Sequence, residues 1–315
     1  MGRRYLLLGA VTAGWGTIPV LAGWSHLPSG LIVAFRLWTA AACLGLVLLL
    51  ERVRSRGRSA SHPAVGEPRR LLSYRPVWCC ATAAVLGLHW LALFAAYQRG
   101  PAGTVILIVY LAPIGVAALA PRLLGEQLGR WTVLTLVGAA AGLALLSAPA
   151  VHAAGAAGLL LSLTASVLFV ALIVMSKPLA AAYGGLRLAF MELAGAGVLV
   201  IPVAVAANWP PFGASWWWVI LLGVVHTALG ITLYLSVLAE VPATHVGILS
   251  YLEPVVVVLS AWLWLGQRPT LATVLGGALV VAAGVVLAAT ATGSRRRPSP
   301  ALASVVPVDP AIPSP

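Results

Sequence analysis

The residues of this chain that could do chemistry are few, and they lie where charge is least welcome. Glu253 interrupts the apolar run "GILSYLEPVVVVLSAWLWLGQRP" directly before Pro254, and Arg36, His89, Glu192 and His226 interrupt other runs in the same way. Taken as helices rising about 1.5 Å per residue through a hydrocarbon layer about 30 Å thick, these runs bring Glu253, His89 and His226 close to the midplane. Arg36 and Glu192 come to roughly 20 Å and 10 Å from one face by the same arithmetic. An ionisable group at such depth is costly to insert, so each must face the interior of a bundle.

Two chemistries fit Glu253. It can bind a substrate ammonium group or take up a proton, with His89 and His226 as further proton-coupling candidates. Alternatively, a protonated Glu253 donates a hydrogen bond to a neighbouring helix and only locks packing. Arg36 is close enough in depth to pair with Glu253, which would make both structural. Glu192 precedes "LAGAG", small residues that let a neighbouring helix approach, and with Arg36 it is read as a structural ionisable group. Pro254 cannot donate to the carbonyl of Ser250, so a bend is expected beside the carboxylate.

Aromatic rings surround these groups. His89 lies beside Trp90, Phe94 and Tyr97, and His226 shares a helical stripe with Gly230 and Tyr234. Trp15, Tyr110 and Tyr251 add rings from three other runs. Such rings can stack on a planar substrate or hold a cation over their faces. The alternatives are lipid-facing surface or an interfacial belt, which is the reading for "WWW" at 216–218. The candidate substrate-binding set is therefore Trp15, His89, Trp90, Tyr97, Tyr110, His226, Tyr234, Tyr251 and Glu253.

The elements that must position these residues follow from composition. Of 315 residues, 61% are hydrophobic and 8% charged, against about a quarter charged in a soluble domain. Lipid must be the solvent for much of the chain. Ten apolar runs reach span length, at about 5–23, 30–50, 77–97, 102–120, 131–148, 156–176, 186–207, 215–238, 243–264 and 271–292. The first begins like a secretory signal but contains Trp15 and Pro19 and lacks a convincing cleavage site, so it is read as a retained span.

The net charge of +12 lies almost wholly in loops. With the N-terminus inside, sixteen of the 19 basic residues fall on the cytoplasmic side, including Lys177 and the arginines of the 51–76 loop. Arg99 and Arg268 fall outside, and Arg36 lies within a run. That asymmetry orients a membrane protein with both termini cytoplasmic, and no basic face remains for nucleic acid. The Pro-rich tail 293–315 is expected to be disordered.

The chain also repeats itself. "YLAPIGVAALAPRLLGEQLGRWTVL" from Tyr110 aligns without gaps with "YLEPVVVVLSAWLWLGQRPTLATVL" from Tyr251. Two units result, 1–148 and 155–292, each of five runs. An odd number per unit inverts one against the other, which is the architecture of secondary transporters with a site at the repeat interface. The expected fold class is all-α integral membrane, with ten transmembrane helices as two inverted five-helix repeats.

These motifs resemble the EamA-type transporters of the drug/metabolite transporter superfamily. The resemblance rests on Trp15-Gly16 in the first run, an arginine in the second, and the duplicated pattern beginning at "APIGVAALAPRLLGEQLG" and "EPVVVVLSAWLWLGQRPT". Gln267 stands where Glu126 stands in the first repeat. It implies a central cavity, alternating access and export of an amino acid or other small metabolite. Glu126 itself is expected to pair with Arg122 or Arg130 at the end of its helix.

Enzyme chemistry finds little support. There is no HExxH, GxSxG or P-loop pattern, and Asp309 in the tail is the only aspartate. The three cysteines have no metal-ligand spacing. No catalytic residue, metal or cofactor is expected. The expected partners are a small-molecule substrate and the bilayer of the cytoplasmic membrane, for a monomer with a dimer left open. The competing functions are a non-transporting membrane sensor or partner protein and a membrane-embedded enzyme.

Overall fold

A computed structural model describes residues 2–57, 76–100, 102–147, 155–266 and 268–292. Most of the basic loop, the junction near 149–154, Pro101, Gln267 and the Pro-rich tail lie outside the described residues. Within them the chain is all-helical, and each of the ten apolar runs is helical. Seven helical segments are long and apolar enough to cross a membrane, from Gly2–Ser25 to Leu271–Thr290, and Ala112–Leu123 and Arg130–Leu145 are shorter apolar helices. Large apolar side chains such as Leu6, Val167 and Leu263 are exposed around the outside, as a bundle solvated by lipid requires.

Several runs are broken where sequence chemistry demands it. The first divides into α1 (Gly2–Trp15) and α2 (Ile18–Ser25), because Pro19 cannot donate to the Trp15 carbonyl. The Gly16 carbonyl freed at this break accepts from Ser260 Oγ at 3.1 Å. After α3 (Ser29–Gly57) and α4 (Pro76–Tyr97), the fourth run divides into α5 (Ala102–Val109) and α6 (Ala112–Leu123), just before Pro113. The ninth divides identically, into α13 (Ala243–Ser250) and α14 (Leu252–Leu265), just before Pro254. Tyr110 and Tyr251 occupy the two breaks, their ring centroids 6.0 Å apart. The bend expected from Pro254 is present.

The repeat is visible in backbone and packing. Gly125 and Gly266, equivalent positions after α6 and α14, have φ of +64° and +67°, a left-handed turn that glycine adopts without strain. The remaining elements are α7 (Arg130–Ser147), α8 (Ala156–Tyr183), α9 (Gly185–Leu199), α10 (Ile201–Val205), α11 (Ser215–Leu221), a π-helical turn (Leu222–Leu229), α12 (Gly230–Leu238) and α15 (Leu271–Thr292). From the first half, α4 packs on α8 and α9 of the second. From the second, α12 and the π-helical turn pack on the matching α1 and α3. The small-residue seams join α7 to α15, where Gly142 lies against Gly276.

The helices depart from the sequence pattern in two places. The sixth run does not stop at 176. α8 continues to Tyr183 and carries Lys177 in its last turns, buried rather than in a loop. Nor is "WWW" uniformly an interfacial belt. Trp216 is buried against Phe35 and Phe212, Trp218 packs on Trp24, and Trp217 alone is well exposed.

Candidate functional site

A cavity of about 400 Å³ lies between the halves, bordered by residues of α1 to α5, α8, α9, the π-helical turn, α12 and α14. Of the residues selected by sequence, Trp15, His89, Trp90, Tyr97, Tyr110, His226, Tyr234 and Glu253 all border it, as do Arg36 and Glu192. Tyr251 does not. It is fully buried against Tyr110, because two positions along a helical path set it about 200° around from Glu253.

Glu253 sits in the first turn of α14, where the positive end of the helix favours an anionic side chain. The Tyr110 hydroxyl lies within hydrogen-bonding reach of its carboxyl. Among the described residues Glu253 has no ion-pair partner, so the pairing with Arg36 left open by depth is absent. Arg36 instead donates from Nε to Thr227 Oγ1 at 3.2 Å and lies over the faces of Trp90 and Phe94, with Cζ 4.4 and 5.7 Å from their centroids.

The two histidines are held differently. His89 Nδ1 is 2.8 Å from the Ala165 carbonyl, and a carbonyl only accepts, so Nδ1 carries a proton and Nε2 is the nitrogen left for the cavity. Its ring stacks on Phe169, with centroids 5.2 Å apart. His226 lies in the π-helical turn, its Nε2 2.9 Å from Thr17 Oγ1. Its carbonyl accepts from Trp15 Nε1 at 2.7 Å. Trp15 reaches that carbonyl only because position 230 is glycine, where a Cβ would stand 2.7 Å from the indole nitrogen. Glu192 borders the cavity but accepts from Ser176 Oγ at 2.6 Å, which directs it into a local contact.

A second polar cluster lies at one end of the bundle, and sequence reasoning placed its members elsewhere. Glu126 does not pair with Arg122 or Arg130. Its carboxylate accepts from the backbone N–H of Ala243 at 2.5 Å and of Thr244 at 3.2 Å, and from Thr244 Oγ1 at 3.1 Å. Lys177 Nζ donates to the carbonyls of Leu238 at 3.0 Å and Val241 at 2.7 Å, and stands 3.9 Å from Glu126. The turn between α12 and α13 is thus held by a cation at its helix C-terminus and an anion at the next N-terminus. His245, which sequence reasoning did not select, bridges Tyr5 at 2.7 Å and Thr132 at 3.1 Å. Arg4 and Glu240 form an ion pair nearby.

Comparisons with known proteins bear on both halves. The EamA-like transporter family matches residues 3–148 and again 156–290. An uncharacterized transporter of Archaeoglobus fulgidus is 29% identical over 226 residues, covering 71% of this chain and 78% of that one. A probable terminal-alkyne amino-acid exporter of Streptantibioticus cattleyicolor is 30% identical over 202 residues, covering 62% of this chain and 67% of that one. A solved crystal structure superposes with a TM-score of 0.73 over 92% of this chain and 98% of the other, at 20% identity, which bears on the fold alone.

Proposed function

Because the chain belongs to the EamA-like transporter family, and is therefore a multi-pass membrane transporter rather than an enzyme, we propose that it exports a small ammonium-bearing metabolite by alternating access. In this reading all ten helical runs cross the cytoplasmic membrane as two inverted repeats, with both termini cytoplasmic. The loop arginines support that orientation. The seams between α7 and α15 are used within one chain, which supports a monomer.

The observation that carries the reading is Glu253. A carboxylate on the wall of a cavity between two packed halves, without an ion-pair partner among the described residues, is costly unless something fills that role. A substrate ammonium group does so when bound, and a proton can do so when the site is empty. The aromatic faces of Trp15, Trp90, Tyr97 and Tyr234 suit the rest of a small amphipathic molecule. The amino-acid exporter among the relatives supports an amino acid or a related compound. The Nε2 of His89 is the second candidate for moving a proton.

The test is substrate-induced proton flux in proteoliposomes containing wild type or Glu253→Gln. Flux with an amino acid or amine in wild type, reduced by about 100-fold or more in the variant, is expected where a buried charge pairing is lost. Equal flux in the two proteins would remove Glu253 from the mechanism. Absence of flux with every compound, from a folded protein, would return the chain to a non-transporting role.

A further inference from the structure

We propose that Arg36 is the residue that recognises the substrate's carboxylate, so that the cavity selects a zwitterion over the corresponding amine. The inference rests on the transport reading above and assigns a specificity role to a residue that the sequence pattern presents as structural. Arg36 is 3% exposed, and its guanidinium keeps its positive charge in almost any protein setting. Its direct contacts are neutral, the Thr227 hydroxyl and the faces of Trp90 and Phe94, and the carboxylate of Glu253 acts on it without forming an ion pair. These orient and partly solvate the charge without neutralising it.

The contacts also fix which edge is left over. Thr227 Oγ1 gives its own proton to the Leu222 carbonyl at 2.9 Å, so toward Arg36 it is an acceptor and holds Nε. Trp90 covers one face of the guanidinium plane. The terminal nitrogens have no hydrogen-bond acceptor among the described residues, and Arg36 borders the cavity. A guanidinium edge held in this way presents parallel N–H groups whose geometry matches a carboxylate.

Glu253 borders the same cavity and feels the charge of Arg36, yet the two form no ion pair within 4 Å. Two opposite charges buried only for packing would gain most by closing on each other. Held apart, they match the two ends of a zwitterion, with the ammonium at Glu253 and the carboxylate at Arg36. An amine satisfies only the first, and leaves the guanidinium unpaired in the occupied site.

The test is counterflow in proteoliposomes with full-length protein. The probes are L-leucine, L-phenylalanine, L-methionine and L-threonine, each beside its decarboxylated amine. Each amine is expected to compete about 30-fold more weakly than its amino acid on wild type, since a lost charge-assisted hydrogen bond has that magnitude. Arg36→Gln should compress the gap to within about threefold, with Arg36→Lys retaining about tenfold, as a point charge replaces a fork. Amines that match their amino acids on wild type would overturn the inference while leaving transport intact, and that comparison needs no variant. A gap that survives Arg36→Gln in a folded protein would also overturn it. No counterflow with either series, from folded protein, would instead defeat the transport reading on which it rests.

Discussion

The bundle buries two acid–base pairs and treats them in opposite ways. At one end, Lys177 and Glu126 stand 3.9 Å apart, and between them they hold two backbone carbonyls and two backbone N–H groups of one turn. On the cavity wall, Arg36 and Glu253 have no ion-pair partner among the described residues, and their direct contacts are hydroxyls and ring faces. The first pair meets its electrostatic demand within the protein and ties the end of α6 to α8, α12 and α13. The second leaves that demand open toward a cavity. Charge that is satisfied holds the fold, whereas charge left open is available to a ligand.

The comparison breaks most visibly if the satisfied pair is taken apart. Lys177→Met should strip both carbonyls of their donor and leave Glu126 buried without its cation, at a cost of about 3–5 kcal/mol. Reversible unfolding in mixed micelles measures this, and a change below about 1 kcal/mol would show that the cluster does not hold that end together. A smaller effect sharpens the contrast. Arg4 and Glu240 sit beside the same cluster but are about half exposed, so Glu240→Ala should cost roughly 0.5 kcal/mol or less in the same assay.

Much of the fold was legible in sequence because its causes are local. Apolar length marks the ten runs, and Pro113 and Pro254 mark the paired breaks at Tyr110 and Tyr251. Gly125 and Gly266 mark the left-handed turns that close the equivalent helices. The rest depends on contacts made far along the chain. Glu126 meets residues 117 and 118 positions away, so its nearest arginines were the wrong partners to choose. Lys177 reads as a loop cation because a window ends a span at the first charge. The helix runs on, since Leu238 at the end of α12 and Val241 in the following turn offer two carbonyls to receive the ammonium.

The site was legible to a similar degree and for similar reasons. Buried charge and ring type identify most of the cavity wall, because both are costly or unusual in an apolar run. Tyr251 was misplaced because its ring type alone put it in the site, although two positions along a helix set it on the side away from Glu253. Thr227, Phe169 and Ser176 were missed, since a hydroxyl or a single ring in an apolar run carries no signal of its own. His245 did carry one, as an ionisable residue in the first turn of a span, and would have pointed to the end cluster.

The division between held and open charge is tested most directly by one measurement, ligand-induced thermal stabilisation of two purified variants, Glu126→Gln and Glu253→Gln, with the best-transported amino acid. Glu126→Gln should melt lower than wild type, by an amount corresponding to about 2 kcal/mol, yet still gain stability with ligand. Glu253→Gln should melt near wild type and gain nothing. A Glu253→Gln protein that responds to ligand as wild type does, or a Glu126→Gln protein that keeps its stability but loses the response, would contradict that division.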